Sequence, residues 1–113
     1  MTDCLFCRII AGEIPATLVE HGDVVIINDI NPQAPLHALV IPRRHISTLN
    51  DLTPDDDALV GSMFRVAASL AQKHGHGEHG YRTVFNCNRD AGQTVFHIHL
   101  QVLGGRSLGW PPG

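Results

Sequence analysis

The sequence predicts a single α+β domain, in which about five short strands accompany one main helix. Residues 96–102 alternate between apolar and polar side chains, which is the pattern of a strand with one buried face. Residues 24–27 are apolar at every position, as in a strand that is covered on both sides. Thr53 and Pro54 precede acidic residues and an apolar stripe at helical spacing, which predicts the start of the main helix.

Composition limits the classes of function. The chain has 113 residues with 43% hydrophobic and 17% charged content, which suits one folded domain, residues 1–113, rather than a disordered chain or a coiled coil. Its formal net charge of −3 argues against a broad nucleic-acid or membrane surface. No apolar run reaches the roughly 18 residues of a membrane span, and the chain does not open on a signal peptide. We therefore expect a cytoplasmic protein with no membrane partner and no direct nucleic-acid contact.

The first half of the chain predicts a short helix and three strands. Residues 4–12 form a short helix that a glycine stops, with Phe6, Ile9 and Ile10 on its buried face. Strands follow at 17–20 and 24–27, with turn residues between them, and at 37–41 after a proline-containing loop over 29–35.

The second half predicts the main helix, two strands and a terminal arm. The helix begins at Thr53 and ends near Gly75, and a glycine-rich loop with solvated histidines follows it. Its apolar stripe comprises Leu59, Met63, Phe64, Val66, Ala67 and Leu70. Strands are expected at 81–85 and 96–102, and residues 108–113 form a stiff arm that carries Trp110.

The strand at 96–102 is the candidate site of chemistry. His97, His99 and Gln101 share one face, and Phe96, Ile98, Leu100 and Val102 share the other. Imidazole serves as nucleophile, acid, base or metal ligand near neutral pH. A solvated polar face is the alternative interpretation.

The loops offer groups that suit a phosphate and a sugar. Gln93 and Thr94 follow Gly92, where the backbone can come close to a bound anion. Asp29 is suited to accept hydrogen bonds from vicinal hydroxyls, although an ordinary turn aspartate has the same sequence context.

A separate group of residues has the spacing of a zinc site. Cys4 and Cys7 form C-x2-C, and tetrahedral closure needs two further ligands, for which His45 and His97 are the candidates. The alternative is two small buried cysteines on the first helix. If zinc is bound, His97 is structural and His99 stays available for attack.

Several motifs together resemble the histidine triad family, in the branch of the histidine triad nucleotide-binding proteins. They are F-C-x-I-I-x-G-E-I-P, D-I-N-P-Q-A-P-x-H, H-x-L-V-I-P-x-x-H, G-Q-T-V-F-H-I-H-L-Q-V-L-G-G-R and the W-P-P-G end. The resemblance implies an antiparallel sheet of about five strands, one main helix and a homodimer. It also implies a purine nucleoside 5′-phosphoramidase that acts through a nucleotidyl-histidine intermediate and needs no metal for catalysis.

The resemblance also implies roles for single residues. His99 is the nucleophile, and His37 supports it. Asn86, Gln93 and Thr94 contact the phosphate, and Asp29 holds the ribose. The base pocket comprises Phe6, Ile9, Ile14, Ile27, Ile30 and Leu39, while His97 and Trp110 complete the nucleotide site.

One position departs from the family pattern. Gln101 stands where the family has its third histidine, and glutamine exchanges hydrogen bonds but delivers no proton at neutral pH. The alternatives therefore include a nucleotidyl transferase, a dinucleoside polyphosphate hydrolase and a non-catalytic nucleotide-binding scaffold. A metal-dependent enzyme with His97 and His99 as ligands is a further alternative.

Overall fold

The sheet forms the centre of the fold. A computed structural model describes residues 3–113 of the chain. Five strands pair throughout in antiparallel fashion, in the spatial order β1-β2-β3-β5-β4. Their bounds are Val19–His21 (β1), Val24–Asn28 (β2), Leu36–Pro42 (β3), Tyr81–Val84 (β4) and Leu100–Gly104 (β5). The predicted α+β class with an antiparallel five-stranded sheet is confirmed.

Two helices accompany the sheet. The short helix α1 spans Leu5–Ile10, and the main helix α2 spans Asp57–Lys73. A 3-10 turn at Pro54–Asp56 precedes α2, and the Asp56 carboxylate accepts a hydrogen bond from the Thr53 backbone N–H at 2.9 Å. The helical segment therefore starts at Thr53 as predicted, but its first turn is a 3-10 turn, which is wound more tightly than an α-helix. Among the described residues, no helix is long and apolar enough to cross a membrane.

Strand alternation divides the core into two clusters. Leu36, Ala38 and Val40 of β3 face α2, where they meet a cluster that includes Met63 and Ala67. On the opposite face, α1 covers a second cluster, made of Phe6, Ile9, Val25, Ile27, Leu39 and Ile41. Because both faces are covered, all seven residues of β3 are buried. The second face carries the polar side chains of the candidate site.

Two apolar residues that the sequence analysis placed in the core are partly exposed. Phe64 lies on α2 with 43% of its surface exposed and packs edge-to-face on Phe85, with ring centroids 5.8 Å apart. Phe96 is 48% exposed, although it was predicted on the buried face of the last strand. Both predictions were wrong: Phe64 lies beside the buried Met63 at the edge of the helical stripe, and Phe96 precedes the paired part of the strand, so neither side chain is covered within the chain.

The predicted strand at 96–102 begins only at Leu100. Pro42 of β3 has no backbone N–H, so the ladder loses its donor where Pro42 would face Ile98. Its carbonyl accepts from His97 Nε2 at 2.7 Å, while the Ile98 N–H donates to the Ile46 carbonyl at 2.8 Å. These two hydrogen bonds take the place of the β3–β5 ladder beyond Leu100. The other predicted strands agree with the structure to within two residues at either end.

Candidate active site

A pocket of about 310 Å³ opens on the face of the sheet that α1 covers. One wall is apolar and the other carries amides, hydroxyls, a carboxylate and an imidazole. The lining residues are Leu5, Phe6, Ile9, Ile27, Asn28, Asp29, Ile30, Leu39, Asn86, Gly92, Gln93, Thr94, Val95, His99 and Gln101. An apolar wall opposite convergent polar groups is the usual arrangement of a small-molecule site.

His99 is held in one tautomer by the backbone. Its Nδ1 lies 2.9 Å from the carbonyl oxygen of His97. A carbonyl only accepts, so Nδ1 carries the proton and the lone pair belongs to Nε2. The ring of Phe6 packs edge-on against the imidazole, with centroids 5.0 Å apart. These contacts fix the orientation of the ring and leave Nε2 as the nitrogen that can present a lone pair.

His37 is likewise restricted to one tautomer, and this orients Gln101. The backbone N–H of Gln33 donates to His37 Nδ1 at 2.9 Å, which leaves the ring proton on Nε2. His37 Nε2 lies 2.8 Å from Gln101 Oε1 and 3.6 Å from Asp29 Oδ2. Since His37 donates from Nε2, Gln101 must present its oxygen to the histidine. Its amino group is therefore turned away from His37.

The loop before the histidines is braced by Gln93. This side chain donates from Nε2 to the carbonyls of Ser47 at 2.8 Å and Val95 at 3.1 Å. Its Oε1 accepts from the backbone N–H of Asn88 at 2.8 Å, where the backbone has a positive φ of 66°. Gln93 is buried, so both amide hydrogens serve the loop. The exposed neighbour Thr94 is better placed to meet a ligand.

The two cysteines and two histidines predicted as zinc ligands come together. The Nδ1 of His97 lies 3.3 Å from Cys4 Sγ, 3.5 Å from Cys7 Sγ and 3.3 Å from His45 Nδ1. Cys7 Sγ lies 3.4 Å from His45 Nδ1, and all four ligand atoms fall within 4.8 Å of one another. In a tetrahedral zinc site, the bonds to sulfur are about 2.3 Å and those to nitrogen about 2.0–2.1 Å. These bond lengths place a sulfur and a nitrogen ligand about 3.5 Å apart and two nitrogen ligands about 3.3 Å apart. Four of the six distances between the ligand atoms therefore match those of a tetrahedral zinc site.

The environment of His97 also suits metal binding. Burial lowers the pKa of His97 because the charged ring would lose its solvation, although the hydrogen bond to Pro42 opposes this shift. Metal ligation requires the neutral imidazole. The bond from Nε2 to the Pro42 carbonyl leaves the Nδ1 lone pair directed at the cluster.

The structure brings most of the predicted nucleotide-binding residues to the pocket, but not all of them. His97 is fully buried beside the cysteines, and His37 lies behind Gln101. Ile14 is not among the lining residues; it packs on the cluster beneath α1, because the turn after Gly12 carries it there. Trp110 is 84% exposed, and the nearby Gly109 carbonyl accepts from Arg82.

Three lining residues were missed by the sequence analysis, Leu5, Asn28 and Val95. All three lie next to predicted site residues in the sequence, so adjacency was the signal that could have found them.

A larger open groove of about 620 Å³ lies along α2. Arg43, Arg44 and Arg65 line it together with Asp23 and Asp55. Arg43 already pairs with Glu20, and Arg44 pairs with Asp56. The described lining residues of this groove include no histidine or cysteine, whereas the candidate nucleophile His99 lines the smaller pocket.

Comparison with known proteins identifies the class. A family model described as "Scavenger mRNA decapping enzyme C-term binding" matches residues 3–109. The chain belongs to the histidine triad family, as the sequence motifs predicted.

Three relatives illustrate the match. The chain is 45% identical to the purine nucleoside phosphoramidase of Escherichia coli K12 over 108 residues, which cover 95% of this chain and 91% of the relative. A histidine triad family hydrolase from Legionella pneumophila Philadelphia 1 superimposes with a TM-score of 0.95 and 53% identity, covering 98% of this chain and 100% of that one. A histidine triad protein from Clostridium difficile gives 0.90 and 39%, with 96% of each chain covered.

Proposed function

We propose that the protein hydrolyses purine nucleoside 5′-phosphoramidates, cleaving the P–N bond through a covalent nucleotidyl intermediate on His99. The observation that carries this proposal is the bond between His99 Nδ1 and the His97 carbonyl, which leaves the Nε2 lone pair available in the pocket. A neutral nucleophile avoids repulsion by the phosphoryl oxygens and divides one difficult step into two. The Escherichia coli relative named purine nucleoside phosphoramidase gives the substrate class.

The reaction has two steps. His99 Nε2 forms a bond to phosphorus while the P–N bond breaks, and the electron pair leaves with the amine nitrogen, which takes a proton. Water then forms a P–O bond, the pair of the P–Nε2 bond returns to the imidazole, and one proton of the water is released to solvent. The His97 carbonyl stabilises the positive charge on the ring while Nε2 is bonded to phosphorus.

The two walls of the pocket suit the two ends of a nucleotide. The purine lies against Phe6, Ile9, Ile27 and Leu39, with the exposed Ile30 at the mouth. Asp29 Oδ1 accepts from the Asn31 backbone, and its carboxylate is near enough to the pocket to accept from ribose hydroxyls. The amino group of Gln101, together with Asn86 and Thr94, supplies donors for the phosphate.

We further propose that Cys4, Cys7, His45 and His97 hold a structural zinc ion. Four protein ligands complete the tetrahedral shell, so the ion would supply rigidity rather than an open position for substrate. This favours the imidazole mechanism over the metal-dependent alternative, in which His97 and His99 would share a metal. His97 directs its ring to the cysteines, while Nδ1 of His99 turns to a backbone carbonyl.

We also propose a homodimer, which would cover the edge strand β4 and the exposed Phe64 on α2. The cytoplasmic location stays a prediction.

The covalent intermediate gives the test. Protein mixed with an adenosine phosphoramidate is quenched within milliseconds in alkaline denaturant, which preserves the P–N bond, and examined by mass spectrometry for an AMP adduct. We expect the adduct on His99, its loss in His99→Ala, and retained AMP binding in that variant. Equal inertness of the wild type and His99→Ala would instead support a nucleotide-binding scaffold.

A further inference from the structure

The amide of Gln101 lies in the pocket in an orientation that His37 imposes. The Gln33 N–H occupies the single acceptor nitrogen of the neutral His37 ring, so His37 Nε2 can only donate. A flipped amide would set two donors against each other across the 2.8 Å contact. The chain thus fixes the amino group of Gln101 on the side away from His37.

No other described group of the pocket is suited to protonate a leaving group. Among residues 3–113, His99 and Asp29 are the only titratable side chains that line the pocket. His99 directs its Nδ1 proton at the His97 carbonyl, and Nε2 becomes bonded to phosphorus, so neither nitrogen is placed to protonate a leaving group. Asp29 accepts from Asn31 and lies 3.6 Å from His37 Nε2, which suits an acceptor. The remaining polar residues are neutral amides and a hydroxyl.

We propose that this site is selective for AMP joined to an acidic leaving group, such as the mixed anhydride of AMP with a carboxylic acid, over phosphoramidates of alkylamines. The inference rests on the proposed nucleotidyl intermediate on His99, and it extends the substrates from P–N bonds to P–O bonds with acidic leaving groups. Gln101 is a catalytic residue that binds a phosphoryl oxygen, and His37 is a positioning residue.

The bond changes explain the ranking. With a mixed anhydride, the Nε2 lone pair forms the bond to phosphorus, the P–O bond breaks, and its electron pair leaves on a carboxylate that needs no proton. With an alkylamine, the pair leaves on a nitrogen that must take a proton from solvent before or during cleavage. Water then releases AMP from His99, as in the second step above.

A series of aryl esters of AMP measures this dependence directly. The phenols range from 4-nitrophenol to phenol itself, and quenched-flow records both phenol release and the AMP adduct on His99. We expect the first-step rate of the wild type to fall steeply as the phenol becomes less acidic. Gln101→His should flatten this dependence, with a gain of about 10- to 100-fold on the phenyl ester and little change on the nitrophenyl ester, since a general acid helps only poor leaving groups.

Gln101→Met is the matched control, because it keeps the length of the side chain but loses the donors. It should slow every ester by a similar factor and keep the steep dependence. An adduct that forms with a flat dependence in the wild type would overturn this inference alone. Equal slopes in the wild type and Gln101→His would overturn it as well. Absence of any adduct would overturn the proposed function and this inference with it.

Discussion

Replacing Gln93 by methionine should destabilise the protein by about 3 kcal/mol. The side chain makes three hydrogen bonds, to the Ser47 carbonyl, the Val95 carbonyl and the Asn88 N–H, at 2.8, 3.1 and 2.8 Å. Each is worth about 1 kcal/mol net. Methionine matches the length and fills the buried volume, so most of the loss comes from the bonds rather than from a cavity.

Urea unfolding at one fixed protein concentration measures this loss, because any subunit association adds to apparent stability. With an m value of about 1–3 kcal/mol/M, the midpoint should fall by roughly 1–3 M. Thr94→Val is the control: Thr94 is exposed, and its free energy of unfolding should stay within about 0.5 kcal/mol of the wild type. Gln93→Glu should lower the free energy of unfolding at least as much as Gln93→Met. It replaces the amino group, which donates to two carbonyls, by a carboxylate oxygen that can only accept.

The same variants distinguish two roles of Gln93: stabilising the loop through its three hydrogen bonds, and contacting the phosphate, as the family resemblance implies. Suppose that Gln93→Met lost less than about 1 kcal/mol of stability and yet bound AMP much more weakly. The reasoning from the three bonds would then be refuted, and Gln93 would be a ligand-binding residue. Weakened binding that only follows the loss of stability would agree with a brace.

The remaining predictions concern the metal cluster and the C-terminal arm. Metal analysis of the purified protein should find about one zinc per chain, and Cys7→Ser should lower both the zinc content and Tm, because three ligands hold the ion less tightly than four. Adenylylation of His99 should survive chelation at temperatures where the fold persists, whereas immediate loss of the adduct in folded, zinc-free protein would contradict a structural role. Deletion of residues 110–113 should alter substrate preference more than Tm, since Trp110 is 84% exposed; a large fall in Tm with unchanged kinetics would contradict this.

Periodicity predicted the sheet well because burial on one or both faces leaves a direct trace in the sequence. Residues 24–27 read as a strand covered on both faces, and they are buried between α1 and α2. Alternation also placed His99 and Gln101 on the same side, and both line the pocket. These features depend only on which residues avoid water.

Periodicity failed where a single backbone group decides the structure. Nothing in the alternation of residues 96–102 indicates that Pro42 would face Ile98 and end the ladder. Likewise, the alternation does not indicate the three hydrogen-bond partners of Gln93, which belong to Ser47, Asn88 and Val95. The partner of an amide 46 residues away along the chain cannot be inferred from local pattern.

The early end of that strand connects the metal cluster to the nucleophile. Had the ladder continued, the Ile98 N–H rather than the His97 ring would bond to the Pro42 carbonyl. Instead His97 is held through both ring nitrogens, by the Pro42 carbonyl at Nε2 and by the cysteine–histidine cluster at Nδ1. A ring fixed at two points also fixes its own backbone, and it is the His97 carbonyl that sets the tautomer of His99. Two histidines separated by one residue thus serve different purposes, and the first determines the geometry of the second.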